Sequence, residues 1–142
     1  MYLLDTNVLS ELKKIKAGRA DANVTAWASR TSAANYWLSA INILESTKGL
    51  LLLERRDPVQ AATYRRWLED QVLVDFASRI LPFDLRAAQI CAELHVPDPR
   101  PERDAMLAAT ALAHDLIMVT RNIRDFEGTG VRLLNPWLSD NR

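Results

Sequence analysis

A chain of 142 residues that is 49% apolar and 25% charged has the length and composition of an ordinary globular protein with one sizeable core, expected to form a single domain over residues 1–142. Lysine plus arginine equals aspartate plus glutamate at 18 each, so no net positive field marks out a nucleic-acid binder, and any such binding must come from a local patch. A lone cysteine, Cys91, excludes an internal disulfide; Asp5 and Glu11 interrupt any early signal-like run, and the apolar stretches are too short to span a bilayer, so a soluble cytoplasmic protein is expected.

Residues 2–4 are apolar and lead directly into Asp5, Thr6 and Asn7, which reads as a short buried strand ending in a carboxylate and passing into a helix. The helix covers 8–15, with Val8, Leu9, Leu12 and Ile15 on one side, and stops at a lysine cluster and Gly18. Asp21 or Asn23 caps a second helix carrying Val24, Trp27 and Ala28. A second buried strand covers 36–40, and Asn42 opens a helix that runs past Glu45 to the leucines at 50–53. Asp57 followed by Pro58 starts the next helix, with Ala61, Tyr64, Leu68 and Val72 inward. A third strand at 79–83 belongs near an edge, because Pro82 has no N–H for a ladder. Asp84 caps a helix with Ala87, Ile90, Cys91 and Leu94 inside, and three prolines make 96–103 a stiff loop. The helix from Asp104 to residue 113 is apolar nearly all round and therefore buried on most sides. Strands at 116–120 and 131–134 complete the chain. Strands alternating with helices imply an α/β fold: a parallel sheet of about five strands between two helical layers.

Most acids lie among other charges, but Asp5, Glu45 and Asp104 do not. Each stands at a strand-to-helix junction or near a helix start, on the sheet edge that holds the crevice in open α/β folds. Carboxylates crowded into one crevice repel, and a hard divalent cation relieves the conflict. Such an ion lowers the pKa of water and neutralises charge on a phosphodiester. Structural roles compete with this reading: Asp5 as a helix cap, Glu45 as partner of Asn42 in a capping box, Asp104 as an acid at a helix dipole. Cys91 reads as core, and His95 and His114 lack partners at catalytic or zinc spacing.

The motifs together resemble PIN-domain proteins, specifically the VapC toxins and their FitB-like branch. The resemblance runs through residues 3–11, 38–41 with Glu45, 79–84, Asp104 with the 108–111 tetrad, 119–122, Asp125-Phe126 and 134–137. It implies a three-layer αβα PIN fold and an acidic pocket that cleaves RNA with Mg²⁺ or Mn²⁺. By position, Asp5, Glu45 and Asp104 match the central acids. Asp5 and Asp104 would hold the metal, and Thr6 would help place its water. Asn122 stands where many FitB-like relatives carry Asp; Asp125, three residues on, is the acid of many VapC toxins. The fourth place is open between the two, and Arg121 is a phosphate contact or the partner of an acid. The resemblance also implies a VapB-like antitoxin, a homodimer and binding of operator DNA with the antitoxin, the antitoxin groove being expected along 42–56 and 58–77.

Two other classes compete. One is a PIN protein that only binds antitoxin and co-represses, which a reduced acidic set would favour. The other is a phosphotransfer-type α/β domain, which wants a second Asp where Asn7 stands.

Overall fold

Leu3 and Leu4 are both completely buried, and they point to opposite sides. That is the signature of a strand covered on both faces. The computed structural model describes residues 1–139, so the last three positions of the expected 1–142 unit lie outside the described residues. Its strands are β1 (Tyr2–Leu4), β2 (Tyr36–Ser39), β3 (Ile80–Leu81), β4 (Ile117–Val119) and β5 (Leu133–Leu134). All neighbours run parallel, in the order β3-β2-β1-β4-β5. The register sets Leu3 beside Trp37 and Met118, and Leu4 beside Val119.

The helices are α1 (Thr6–Lys13), α2 (Ala22–Arg30), α3 (Ala40–Arg56), α4 (Pro58–Trp67), α5 (Leu85–Leu94) and α6 (Glu102–Ala113). On one face of the sheet, Leu4, Leu38 and Val119 pack against Val8, Trp27, Leu50, Trp67 and Phe76. On the other, Leu3 and Met118 pack against Leu107, Ala108 and Ala111 of α6. Alternate residues of one strand thus feed two cores, and the expected three layers result. Seven of the twelve residues of α6 are buried, as its nearly continuous apolar sequence requires. Among the described residues no helix is long and apolar enough to cross a membrane.

Local chemistry moves several expected boundaries. Ser39, not Asn42, caps α3: the Ser39 hydroxyl accepts from Ile41 N–H, while Asn42 Oδ1 accepts from Ser39 N–H at 2.7 Å. This uses Asn42 as the box partner and frees Glu45 from that role. The expected strands at 79–83 and 131–134 shrink to two residues each; Pro82 stops the first, and Gly130, at φ +84°, turns the chain just before the second. The helix begun by α4 does continue as expected past Trp67, through a π-helical segment, Leu68–Val72, that keeps Leu68 and Val72 buried. Arg103 lies inside α6 rather than in the preceding loop.

The chain builds β1, β2 and β3 in one direction and then returns to place β4 on the other side of β1. The sheet's switch point therefore falls between the carboxyl ends of β1 and β4. Asp5 leaves the first of these ends, and Thr120 leaves the second.

Candidate active site

Asp5 is 1% exposed, so its charge must be met by neighbours. Its Oδ1 accepts the Thr6 N–H at 2.7 Å, and its Oδ2 accepts the Thr120 hydroxyl at 2.8 Å, across the switch point. The first turn of α1 closes instead on the Asp5 backbone carbonyl, which accepts from Val8 and Leu9 N–H. The residue is a helix cap by backbone position, yet its carboxylate is turned into the crevice.

Glu45 reaches the same place from the second turn of α3. Asn42 steadies the approach: its Nδ2 donates to Leu4 O at 3.1 Å and to Thr6 Oγ1 at 3.0 Å, tying α3 to the end of β1. Asp104 arrives from the first turn of α6, which starts at this edge and runs away from it before β4 begins. The three acids come from separate elements and meet on a single group, the Arg103 guanidinium. Nη2 donates to Asp5 Oδ1 and, at 2.9 Å, to Glu45 Oε1; Nε donates to Glu45 Oε2; Nη1 donates to Asp104 Oδ1 at 2.9 Å.

The electrostatics separate the acids. Burial pushes Glu45 upward, but hydrogen bonds from Arg103 and Thr6 outweigh it and hold Glu45 below its ordinary value. Burial raises Asp104, Arg103 only partly offsets this, and the charges of Asp125 and Asp5 add to the rise. Burial alone would lower Arg103, yet the surrounding carboxylates raise it, so it stays cationic. Of these two carboxylates, Asp104 is the one that needs added positive charge.

The other expected residues sit as follows. Thr6 is inside the cluster, between Asn42 and Glu45. Asn122 is exposed, and its N–H donates to the Thr120 hydroxyl at 3.0 Å, one step behind Asp5. Asp125 is exposed on a 3₁₀ turn (Ile123–Phe126), within electrostatic range of Asp104. Arg121 does not join the acids; its guanidinium lies over the Trp137 ring, 5.2 Å from the centroid. Arg103 was missed by sequence reasoning. Its signal was a cation in the first turn of a helix, where the dipole disfavours positive charge, right beside a candidate acid.

The residues present suit a hard divalent cation. The donors are carboxylate oxygens with a hydroxyl beside them, and the chain itself already seats a cationic group on them. Among the described residues no three acidic, His or Cys side chains stand in ready-made metal geometry. The spacing of Asp5, Glu45 and Asp104 is that of carboxylates arranged around a planar guanidinium, so an ion requires Arg103 to withdraw.

Comparison with known proteins gives the class. The PIN-domain family model matches residues 2–130. The chain is 36% identical to the VapC ribonuclease Y4jK of Sinorhizobium fredii, covering 96% of this chain and 98% of the relative. It is 34% identical to the toxin FitB of Neisseria gonorrhoeae, covering 96% and 99%. The structure of FitAB bound to a DNA fragment superposes over the whole of both chains, with a TM-score of 0.86 and 32% identity. The chain belongs to the PIN-domain family, within its branch of VapC and FitB toxins.

Proposed function

We infer that this protein is the toxin of a type II toxin–antitoxin pair and that it acts as a metal-dependent endoribonuclease. The observation that carries the reading is the convergence of Asp5, Glu45 and Asp104 on one cationic group at the sheet's switch point. The relatives include a VapC ribonuclease and a toxin, matched along nearly their whole length. Asp5 and Asp104 are assigned to bind Mg²⁺, with Mn²⁺ as the second choice. The ion supplies the Lewis acidity that lowers the pKa of water and neutralises charge at the scissile phosphate. Glu45 accepts a proton from the attacking water at a carboxylate oxygen. Thr6 and Asn42 orient Glu45, and Thr120 orients Asp5. Asp125 adds negative charge at the rim; Asn122 braces Thr120 through its backbone. Water attack in line at phosphorus leaves a 3′-hydroxyl and a 5′-phosphate.

The partner is a VapB-like antitoxin, which together with the toxin binds operator DNA. A groove of about 590 Å³, lined by Leu9, Leu12, Ala28, Trp67, Val72 and Phe76, suits the apolar segment of that partner. It lies between α1, α2 and the segment 58–77, one of the two expected to line it; the other, 42–56, does not reach it. The outer face of α3 is a separate apolar strip of Ile43, Leu44, Leu51 and Leu52, which suits a homodimer. The working compartment is the cytoplasm.

The test is cleavage of total RNA by purified protein with Mg²⁺ or with chelator, for wild type and Asp5→Asn. Cleavage by wild type with Mg²⁺ alone is expected. Equal cleavage in all four samples would remove the metal mechanism. Cleavage in none would favour a protein that binds antitoxin without catalysis.

A further inference from the structure

Arg103 connects the three acids, and its bonds leave little room for anything else. A carboxylate oxygen offers about two acceptor sites. Asp5 Oδ1 fills both, with Thr6 N–H and with Arg103 Nη2. Asp5 Oδ2 is held by Thr120, and both oxygens of Glu45 are held by Arg103. Asp104 Oδ1 receives Nη1. A divalent cation shared by Asp5 and Asp104 would sit where the guanidinium now bridges them. Two positive charges at that spacing would also repel strongly.

The guanidinium has somewhere to go. The Arg103 side chain is 34% exposed while Asp5 is 1% exposed, so it enters from the solvent side and can retreat the same way. Its backbone sits in the first turn of α6, next to Asp104. A displaced guanidinium thus stays beside the acids, where an RNA phosphate would be drawn. Its planar fork matches phosphate as well as carboxylate.

Resting on the cation-site reading above, we propose that Arg103 is an exchangeable counter-ion: a divalent cation displaces it from Asp5, Glu45 and Asp104, and the freed guanidinium then binds the substrate phosphate. The exchange keeps the acids partly neutralised without a metal and delivers a phosphate-binding group when one arrives. Displacement also costs cation affinity, because ion and guanidinium exclude each other.

The exchange predicts opposite effects on two ligands. In calorimetric titration of purified protein with Mn²⁺ alone, Arg103→Gln should bind at least about tenfold more tightly than wild type, and Arg103→Lys should fall between them. Mn²⁺ should likewise raise the melting temperature of Arg103→Gln more than that of wild type. In fluorescence anisotropy with a labelled 20-nucleotide RNA of mixed sequence, under saturating Ca²⁺, Arg103→Gln should bind more weakly. Its dependence of log affinity on log salt should be shallower by about 0.7, the value for one lost phosphate contact on a single strand. Equal or weaker Mn²⁺ binding by Arg103→Gln would overturn the exchange and leave the cation site standing. Tighter Mn²⁺ binding with unchanged RNA affinity would overturn it as well. Absence of Mn²⁺ binding in wild type and both variants would overturn the exchange and the cation site together. If Arg103→Gln fails to fold, Arg103→Lys decides by the same comparisons, since it keeps the charge among the acids.

Discussion

Glu11 shows how a carboxylate away from the crevice is used. Its Oε2 accepts the Asp21 N–H at 2.7 Å and its Oε1 meets Lys14 Nζ at 3.1 Å, closing the turn between α1 and α2. The Asp21 hydrogen bond leads the causes that hold Glu11 below its ordinary value, against a modest opposing effect of burial. A lowered folded-state pKa means the ionised group stabilises the fold above the unfolded pKa, and the contribution fades as pH falls through the folded value. Urea denaturation at pH 7 and at about pH 4 should show wild type losing more stability on acidification than Glu11→Gln. Identical losses would remove this account of the turn. At the same scale, Asp5, Glu45 and Asp104 stood out in the sequence by their apolar flanks. Arg103 did not, because two of its three partners lie 98 and 58 positions away, and its one local sign is a cation beside an acid in the first turn of a helix. The contact between Arg121 and Trp137 was hidden for the same reason.

Among the elements, the start of α3 governs the geometry of the site. Asn42 is fully buried and makes three bonds, to Ser39 N–H, Leu4 O and Thr6 Oγ1. Asn42→Ala leaves these buried groups unpaired and should cost about 3 kcal/mol, read by urea denaturation. A change below about 0.5 kcal/mol would show that the link between β1 and α3 does not depend on it. In α6, Leu107 is fully buried between the sheet and the helix, and Leu107→Ala should cost about 2–5 kcal/mol in the same assay. The burial of α6 and the caps of α2, α4 and α5 at Asp21, Asp57 and Asp84 were legible from periodicity and from Asp or Asp-Pro signals. The sequence places the α3 cap at Asn42, three residues beyond its position in the structure. Asn42 is a good cap by type, and only the hydrogen bonds show that Ser39 holds the position instead. The short strands β3 and β5 were over-extended, since apolar runs continue past the point where the ladder ends.

For the molecule as a whole, the parallel sheet followed from the alternation of strands and helices, as did the placement of the acids on one edge, whereas the central position of β1 comes from the strand order of the structure. Self-association did not follow so directly. Leu44, Leu51 and Leu52 are each more than half exposed along α3, and two such strips facing each other would make an isologous interface. Sedimentation should give a dimer for wild type and a monomer for Leu51→Glu/Leu52→Glu; a dimer for both would place the interface elsewhere. The claim on which the functional reading stands is that residues 5 and 104 together seat a divalent ion. Anomalous scattering from a crystal grown with Mn²⁺ tests it most directly. The account predicts a peak about 2 Å from carboxylate oxygens of both Asp5 and Asp104, with Arg103 withdrawn from them. Manganese bound elsewhere, with the guanidinium still on all three acids in a protein that cleaves RNA, would contradict it.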